Sequence, residues 1–428
     1  MHKQNPPLAK LSALTLAGLL SACVTPGAKN ALPTGLAVGD QDLSPFYAWT
    51  GGMPQKAGAL LRTEPMPAQP EITAAASAKR ILYTSTDARW RSGIVPVSGT
   101  LYLPKGEPLK GGWPLIAWAH GTLGVADRCA PSWAMHNPRD ATYINRWLEN
   151  GYAVVAADYQ GLGGPGPHPY LNWEAEGRSV LDSIRAALAG SNGAIANEVI
   201  ITGQSQGSGA SLGASRIAPA YAPELRLRGT IATGVVTSFP DGPYKPALPV
   251  PGRGAPAYFA VLALLGGAIP DGGPTADELM SEKGRRLLQA GRDGCPDDMR
   301  RVAQREGLDV TNAFAVDYAK VQALVTPMTE MRSARMPAPL FLGTGLADRT
   351  VPPRRQYAAA MALCAAGNPL VWKTYEGSSH SGTVNTAFAD ELAFVRTVRA
   401  GKPAGNTCQS LVEPGPPGTP TPGIPFND

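Results

Sequence analysis

The stretch Glu198-Val-Ile-Ile-Thr-Gly-Gln-Ser-Gln-Gly-Ser-Gly-Ala-Ser-Leu-Gly213 decides the fold. Its β-branched apolar residues 199–202 predict a strand that ends at Gly203, and the small residues that follow are compatible with a helix. Ser205 lies on the turn between them, with a glycine two positions away on each side. Such glycines let the strand and the helix approach closely, and the hydroxyl then points out of the carboxyl end of the sheet. This arrangement is typical of a nucleophile elbow, so we predict that Ser205 is a catalytic nucleophile.

A second stretch, Gly209-Ala-Ser-Leu-Gly213, also matches the pattern Gly-x-Ser-x-Gly. It lies within the predicted helix and does not follow a strand, so we interpret Ser211 as a packing residue. With 49 glycines among 428 residues, chance matches are expected, and the pattern alone is a weak indication. The case for Ser205 therefore depends on its partners.

Composition limits the classes of protein to which the chain can belong. The 428 residues are 43% hydrophobic and 17% charged, which is enough to bury a large core, and we expect one domain with an insertion. The formal net charge is +5 and falls to +3 once Lys3 and Lys10 are removed with a leader. Such a small and scattered charge argues against a nucleic-acid partner.

Residues 1–22 have the features of a bacterial signal peptide. Two lysines form its charged region, and residues 11–20 form an apolar stretch too short to cross a membrane as a helix. The stretch Leu20-Ser-Ala-Cys23 resembles a lipobox, which implies cleavage before Cys23 and lipidation of its thiol. Val24 after it is typical of sorting to the outer membrane, so we expect an envelope lipoprotein anchored in that membrane. A chance cysteine beside an ordinary cleavage site is the alternative.

Four cysteines remain when Cys23 is set aside, namely Cys129, Cys295, Cys364 and Cys408. An even number in an oxidising compartment indicates two disulfides, and four cysteines allow three pairings. The sequence has no Cys-x-x-Cys motif and only five histidines. We therefore expect neither a metal site nor any other cofactor.

Strands alternate with helices along most of the chain, which predicts an α/β fold with a mostly parallel sheet and flanking helices. The predicted strands are residues 80–86, 94–103, 115–119, 153–158, 199–202, 225–233, 337–342 and 370–375, and the predicted helices are residues 141–149, 173–189, 354–366 and 383–399. Residues 23–45 are interpreted as a linker and residues 46–408 as the domain. The Pro- and Gly-rich residues 409–428 are expected to be an extended or disordered tail.

The segment between Thr233 and Pro337 is about 100 residues long, far longer than an ordinary connection. We expect roughly residues 235–335 to form a helical cap, inserted over the active site before the catalytic acid, with helices at residues 276–290 and 299–306. Residues 258–269 are apolar. They could form a lid surface that faces the substrate or pack inside the cap, and the sequence leaves both interpretations open.

Histidines are scarce enough to identify a general base. In one common order of the serine triad the acid follows the nucleophile and the histidine comes last. Only His380 follows Ser205 in the chain; the other histidines are His2, His120, His136 and His168. His380 lies in the loop Gly377-Ser-Ser-His-Ser-Gly382 after an apolar strand, where an imidazole can act as the base. An exposed loop histidine without a role is the alternative.

Asp348 is the predicted acid. It lies in a loop after the predicted strand 337–342, and a buried carboxylate there would orient the imidazole and stabilise its charged form. Asp317 is the nearest rival but follows no strand. The alternative for Asp348 is an aspartate that caps the helix after Pro353.

The oxyanion hole of such a site requires two backbone donors. We expect them to be the N–H of Gln206, directly after the nucleophile, and the N–H of Thr122 in the loop His120-Gly-Thr122. His120 is then interpreted as a residue that shapes this loop. Asp158, at the end of a predicted strand, could hydrogen-bond to backbone near the site or be an ordinary strand-end residue.

Six short stretches carry a resemblance to a known family, namely Gly58-Ala-Leu-Leu-Arg62, His120-Gly-Thr122, Asp158-Tyr-Gln-Gly-Leu-Gly163, Gly203-Gln-Ser-Gln-Gly207, Gly345-Leu-Ala-Asp348 and Ser379-His380. Over roughly residues 50–408 the chain resembles the secretory lipase family of α/β-hydrolases, the group that contains lipase A-type enzymes. The resemblance implies ester hydrolysis through an acyl-enzyme, a large cap, and the disulfides Cys129–Cys295 and Cys364–Cys408. The lipobox, the Pro-rich tail and the bulky Gln204 and Gln206 depart from the family pattern.

We therefore predict a monomeric serine esterase or lipase that acts on small-molecule or lipid esters. In this hypothesis Ser205 attacks the ester carbonyl, His380 takes and returns the proton, and Asp348 orients His380. A peptidase or an acyltransferase on the same fold is one alternative. A non-catalytic envelope lipoprotein that uses the fold as a binding module is another.

Overall fold

The computed structural model describes Met1 and residues 40–67, 69–90, 93–108, 110–247 and 251–427. Cys23 and all but the first residue of the predicted signal peptide lie outside this part of the chain. The described part of the predicted linker begins at residue 40. It is bound to the domain, since the N–H of Gln41 donates to Asp127 Oδ2 (2.9 Å). The bound part of the chain therefore starts before the predicted residue 46. Composition did not reveal this, because the contact depends on a carboxylate 86 residues away.

Nine strands of the described chain form one sheet. They are β1 (Leu60–Pro65), β2 (Ala75–Thr86), β3 (Ile94–Pro104), β4 (Trp113–Ala119), β5 (Ala153–Ala157), β6 (Ile195–Gln204), β7 (Leu227–Thr233), β8 (Leu340–Gly345) and β9 (Leu370–Tyr375). Their order in the sheet is β1-β2-β3-β5-β4-β6-β7-β8-β9. The pairs β1–β2, β2–β3 and β3–β5 are antiparallel and the other five pairs are parallel. The predicted α/β fold with a mostly parallel sheet is therefore confirmed.

The described residues also form twelve α-helices. They are α1 (Pro131–Ala134), α2 (Pro138–Glu149), α3 (Trp173–Gly190), α4 (Gln206–Tyr221), α5 (Tyr258–Leu265), α6 (Ala276–Leu279), α7 (Gly284–Asp293), α8 (Pro296–Glu306), α9 (Tyr318–Thr329), α10 (Pro353–Ala365), α11 (Gly382–Thr386) and α12 (Phe388–Arg399). Helices α3 and α4 cover one face of the sheet, and α2 and α12 cover the other. Because the central strands run parallel, their carboxyl ends meet at one edge of the sheet, and the predicted site residues lie at this edge.

The central strands show why the sequence folds this way. Every residue of β4 and β5 is buried, as expected of parallel strands with helices on both sides. Along β4 the side chains alternate between the faces, so Leu115 packs towards α3 and α4 while Trp118 packs towards α2. Because both faces are covered by helices, continuous apolar runs in the sequence mark these strands.

Several predicted helix ends differ from the structure. Helix α2 begins at Pro138 rather than residue 141, because Asn137 caps it by accepting from the N–H of Asp140 (3.0 Å). The predicted helix 276–290 is interrupted between α6 and α7, where Met280 forms a β-bridge with Phe314. A local pattern cannot predict such an interruption, because the bridge joins residues far apart in the chain.

Helices α5 to α9 form the predicted cap between β7 and β8. They share a hydrophobic core of their own, to which Tyr170 and Val125 of the hydrolase body also contribute. Residues 260–265 and 268–269 of the apolar run are buried in this core. Packing inside the cap, one of the two interpretations left open by the sequence, is thus what most of this run does. The disulfide Cys129–Cys295 joins the cap to the segment after β4.

The residues after Cys408 contain neither helix nor strand as far as residue 427, yet they are bound to the domain. We call residues 409–427 the tail. The disulfide Cys364–Cys408 holds the residue directly before the tail. Further on, the N–H of Gly418 donates to Leu346 O (2.8 Å). Backbone hydrogen bonds thus connect the described part of the tail to the loop that follows β8. Among the described helices, none combines the length and the apolar character needed to cross a membrane.

Candidate active site

Ser205 occupies a strained turn between β6 and α4. Its backbone has φ 57° and ψ −120°, a conformation that non-glycine residues rarely adopt outside functional turns. A Cβ atom at Gly203 would overlap the carbonyl oxygen of Gly207, and one at Gly207 would overlap the carbonyl oxygen of Ala119. The two glycines are thus required by the contact between strand and helix, which is the geometry of a nucleophile elbow.

Hydrogen bonds on both sides of Ser205 hold the turn. Its N–H donates to Thr233 O in the neighbouring strand (3.0 Å), which continues the ladder between β6 and β7. Its carbonyl oxygen accepts from Ser208 N (2.8 Å) and from Ser208 Oγ (2.6 Å). Only 7% of Ser205 is exposed, so the residue as a whole is largely buried at this edge of the sheet.

Asp348 and His380 are brought together by the loops that follow β8 and β9. Asp348 Oδ2 lies 2.7 Å from His380 Nδ1, and both side chains are buried. Backbone hydrogen bonds connect the two loops, with Leu346 N donating to Tyr375 O (2.9 Å) and Ala347 N donating to Ser378 O (3.0 Å). The predicted acid and base are therefore adjacent, in loops that support each other.

The carboxylate of Asp348 accepts three further hydrogen bonds. Oδ1 accepts from the N–H groups of Thr350 (2.9 Å) and Val351 (2.7 Å), and Oδ2 accepts from Gln356 Nε2 (2.9 Å). Donors on both oxygens fix the orientation of the carboxylate. Gln356 is one turn inside α10, and nothing in the sequence indicates its role.

The hydrogen bond to Asp348 also determines which nitrogen of His380 can act as a base. A neutral ring that donates from Nδ1 leaves Nε2 as an acceptor. Nε2 is buried and has no hydrogen-bond partner among the described residues. The ring lies against the end of β7, where a Cβ atom at Gly234 would come within 2.7 Å of His380 Cε1.

Ser205 and His380 lie in adjacent segments but are not hydrogen-bonded to each other. Gln204, the residue before Ser205, donates from Nε2 to His380 O (3.4 Å). Ser205 N donates to Thr233 O, and Gly234, the next residue, is the one that faces the imidazole. In unliganded sites the bond between nucleophile and base is often long, so this arrangement is compatible with a triad.

Gln206 is the first residue of α4, so its N–H has no acceptor within the helix. Its side chain is buried and donates from Nε2 to Glu176 Oε1 (2.8 Å), and it lies 2.8 Å from His168 Nε2. The other ring nitrogen of His168 lies 2.9 Å from Gln160 O and donates there, which leaves Nε2 as an acceptor for Gln206. The side chain of Gln206 is thus held by hydrogen bonds to both Glu176 and His168.

Burial favours the neutral form of both partners of Gln206. Burial raises the pKa of Glu176 to about 8 and lowers the pKa of His168 to about 3. A protonated carboxyl and a neutral imidazole place no full charge beside the N-terminus of α4. The orientation of Gln206, and with it the first turn of the helix, is therefore set by hydrogen bonds.

Thr122 lies in the loop after β4, as predicted, and its hydroxyl is 2.7 Å from Tyr170 OH. The imidazole of His120 is fully buried between two carbonyl oxygens, with Nδ1 2.7 Å from Gly121 O and Nε2 3.3 Å from Asp158 O. Burial lowers the pKa of His120. These contacts agree with the interpretation that His120 shapes the loop after β4. Tyr170 also packs into the cap core, a link between cap and loop that the sequence does not indicate.

The remaining acidic candidates have structural partners elsewhere. The side chain of Asp158 accepts from Ser98 Oγ (2.6 Å), from Ser132 N (3.1 Å) and from Ser132 Oγ. Asp317 caps α9 by accepting from Ala319 N (2.8 Å) and is exposed. Neither carboxylate contacts His380 in the described structure, whereas Asp348 lies beside this predicted base.

Two further predictions concern covalent and metal chemistry. The structure contains the disulfides Cys129–Cys295 and Cys364–Cys408, the two pairs that the family resemblance implies. Within the described ranges, no group of three or more His, Cys, Asp or Glu side chains is arranged to hold a metal ion.

The chain is similar to known lipases in sequence. The model of the family described as "Secretory lipase" matches residues 131–406. A secreted triacylglycerol lipase of Malassezia furfur, LIP2, is 27% identical over 308 residues. That match covers 66% of this chain and 64% of the relative, so the chain spans slightly less than two thirds of the length of the Malassezia protein.

Solved structures show the same fold. Candida antarctica lipase A in its closed state has a TM-score of 0.63 at 19% identity, with 92% of this chain and 90% of that chain covered. A rice cell wall degrading esterase, LipA of Xanthomonas oryzae, has a TM-score of 0.58 at 19% identity, with 81% and 97% covered. At these identities the similarity establishes the α/β-hydrolase fold, and the predicted fold class is confirmed.

The expected localisation is wrong. The leader and Cys23 predicted a lipid-anchored protein of the outer membrane, whereas the Malassezia furfur relative and two further Malassezia relatives are named secreted triacylglycerol lipases. The prediction rested on four residues around one cysteine, a short motif that also arises where an ordinary export signal ends near a chance cysteine.

Proposed function

Because the chain belongs to the secretory lipase family, we propose that it is a serine carboxylic-ester hydrolase with Ser205, His380 and Asp348 as its catalytic triad. The observation that carries the proposal is the 2.7 Å contact between Asp348 Oδ2 and His380 Nδ1, next to a serine held at φ 57° on a strand-to-helix turn. The proposed domain organisation is a hydrolase body within residues 46–408 and a cap formed by helices α5 to α9.

The proposed first half-reaction forms an acyl-enzyme. Ser205 Oγ attacks the ester carbonyl carbon while His380 Nε2 takes the hydroxyl proton, and Asp348 stabilises the resulting imidazolium. The negative charge on the carbonyl oxygen is stabilised by the N–H groups of Gln206 and Thr122. When the tetrahedral intermediate collapses, His380 returns the proton to the departing alkoxide and an alcohol leaves.

The second half-reaction regenerates the enzyme. Water attacks the acyl carbonyl and gives a proton to His380 Nε2, and the new tetrahedral intermediate expels Ser205 Oγ, which is reprotonated by His380. The products are a carboxylic acid and the free serine. Every group used in these steps comes from one chain, so we propose that the enzyme acts as a monomer.

We propose a lipid ester as the substrate. The similarity to lipases in the secretory lipase family supports this class. The cap supports it as well, since its hydrophobic core is continuous with Tyr170, whose hydroxyl lies 2.7 Å from Thr122 Oγ1 beside the proposed oxyanion hole. A cap at this position can cover the acyl or alcohol chain of an ester while the polar groups below act on the carbonyl.

We further propose that the protein is exported and acts outside the cell. The naming of three relatives as secreted lipases supports this location, and the two disulfides fit an oxidising environment.

The test uses a short-chain nitrophenyl ester and an emulsified triacylglycerol with three proteins, namely the wild type, Ser205→Ala and Ser211→Ala. Ser211 is the matched control because it occupies the second Gly-x-Ser-x-Gly, inside α4, and its hydroxyl donates to Ser208 O (3.0 Å). We expect hydrolysis of both substrates to be abolished in Ser205→Ala and retained in Ser211→Ala. Retained hydrolysis in Ser205→Ala, or preference for an amide substrate or an alcohol acceptor, would contradict the proposal.

A further inference from the structure

The tail lies along the two loops that carry Asp348 and His380. Near its start Glu413 contacts Arg354 of α10 (3.3 Å). Farther on, Gly418 N donates to Leu346 O, two residues before Asp348, and Thr421 N donates to Gly377 O, three residues before His380. The tail thus touches first the loop of the proposed acid and then the loop of the proposed base.

Asn427 makes the contact nearest to the base. Its Oδ1 accepts from the N–H of Ser379 (2.6 Å), the residue before His380, and its Nδ2 donates to Gly377 O (2.8 Å) and to Thr421 O (2.9 Å). A backbone N–H can only donate and a carbonyl can only accept, so these partners fix the orientation of the amide. The side chain of Asn427 therefore bridges the backbone of the histidine loop to the tail itself.

Two glycines of the histidine loop make room for the tail. A Cβ atom at Gly377 would overlap Thr421 Oγ1, and a Cβ atom at Gly382 would overlap Asn427 Oδ1. Gly377 also has φ 65°, a conformation that favours glycine. The loop of the proposed base is thus shaped to receive the tail at both of its ends, independently of the hydrogen bonds.

The tail is also suited to a fixed conformation. The stretch Pro414-Gly-Pro-Pro-Gly-Thr-Pro-Thr-Pro-Gly-Ile-Pro425 contains six prolines, which restrict the backbone before it binds and so reduce the entropy lost on binding. The turn at its end holds Phe426 at φ 59°. A bulky residue adopts this conformation only where its surroundings enforce it.

We propose that Asn427 is a positioning residue for the reaction, and that the tail is a brace that holds the histidine loop in its catalytic geometry. This inference rests on the proposed function. Asn427 acts through the backbone of Ser379, which sets where the ring of His380 lies relative to Ser205 and Asp348. Because a misplacement of about 1 Å can reduce a rate by about 100-fold, loss of the brace should lower kcat.

The experiment compares Asn427→Ala with Glu413→Ala. The control variant removes a tail contact with Arg354 and Tyr244 that lies away from the histidine loop. In Asn427→Ala we expect kcat for a nitrophenyl ester to fall about 10- to 100-fold with little change in KM, because the ester pocket itself is untouched. In Glu413→Ala we expect kcat within about two-fold of the wild type, since an exposed pair contributes little.

A second readout does not depend on turnover. The proton on His380 Nδ1, held by Asp348, should give a downfield NMR resonance that shifts or broadens in Asn427→Ala and is unchanged in Glu413→Ala. A wild-type kcat in Asn427→Ala, or an equal fall in both variants, would overturn the inference. If the wild-type protein hydrolysed no ester, the proposed function would fail separately. In that case, an unchanged Nδ1 resonance in Asn427→Ala would overturn the inference that the tail braces the histidine loop. A resonance that changes in Asn427→Ala but not in Glu413→Ala would support this inference.

Discussion

Asp348 Oδ2 and His380 Nδ1 lie 2.7 Å apart although 32 residues separate them in the chain. The contact fixes the imidazole tautomer, because a ring that donates from Nδ1 can accept a proton only at Nε2. The same carboxylate accepts from two backbone N–H groups and from Gln356, so it cannot rotate without losing several hydrogen bonds. A base with a set orientation is therefore built into the unliganded protein.

The first prediction concerns this pair. In Asp348→Asn, the amide can present an N–H to the imidazole and favour the wrong tautomer, so we expect kcat/KM to fall by roughly 10³- to 10⁴-fold. Asp317→Asn is the matched control, because Asp317 is the exposed N-cap of α9 in the cap. Its activity should stay within about two-fold of the wild type. Equal losses in the two variants, measured by initial rates on a nitrophenyl ester, would remove Asp348 from the mechanism.

The second prediction concerns the elbow. In Gly207→Ala the new methyl group would overlap the carbonyl oxygen of Ala119, so we expect the free energy of unfolding to fall by about 3 kcal/mol or more. Gly209→Ala is the control two residues further along α4, where a Cβ atom would make an ordinary contact with Thr237 (3.4 Å). It should be neutral or stabilising by about 0.5–1 kcal/mol. Denaturant titration of both variants measures these free energies of unfolding. A Gly207→Ala protein as stable as the wild type would show that the strand and the helix lie farther apart than the structure places them.

The third prediction concerns pH. Burial raises the pKa of Glu391 to about 8, and the carboxyl accepts from Tyr143 OH (2.6 Å) beneath the sheet. A carboxyl whose pKa is raised on folding stabilises the protein fully at low pH. This contribution is lost as pH rises from the ordinary glutamate pKa of 4.5 towards the raised pKa of about 8. Glu391→Gln keeps the hydrogen bond but cannot ionise.

We therefore expect the stability of Glu391→Gln relative to the wild type to increase between pH 5 and pH 8, on the order of 2–4 kcal/mol. The difference between the two proteins cancels the titration of all other groups. Exposed Glu71 provides the control substitution Glu71→Gln, whose relative stability should not change with pH. A flat difference for Glu391→Gln, from denaturant titrations across this range, would mean that the carboxyl is already hydrated or ionised in the native protein.

Much of the fold and of the triad follows from local patterns in the sequence. The β-branched run before Gly203 and the apolar run before Asp348 are buried parallel strands, and the strand-to-loop transitions after them place Ser205 and Asp348 at the same sheet edge. His380 could be identified because it is the only histidine after the nucleophile. Such inferences are possible because parallel strands bring their carboxyl ends together irrespective of distance along the chain.

The supporting residues could not be predicted in this way. Gln356, Tyr170 and Asn427 act through hydrogen bonds to partners that no spacing rule connects with them. The tail gives the clearest example. Its Pro- and Gly-rich composition is shared by disordered segments, whereas its binding depends on backbone groups at Leu346 and Gly377 that are available only once the sheet has formed.

The central claim, that Ser205 is the nucleophile of an ester hydrolase, is tested most directly by covalent labelling with a nitrophenyl phosphonate ester followed by peptide mass mapping. An activated serine displaces the nitrophenolate and keeps the phosphonyl group, as it would form an acyl-enzyme. We predict one adduct per chain, on Ser205, formed in the wild type and in Ser211→Ala and absent in Ser205→Ala. A wild-type protein that remains unlabelled, or an adduct on another residue that persists in Ser205→Ala, would contradict the account.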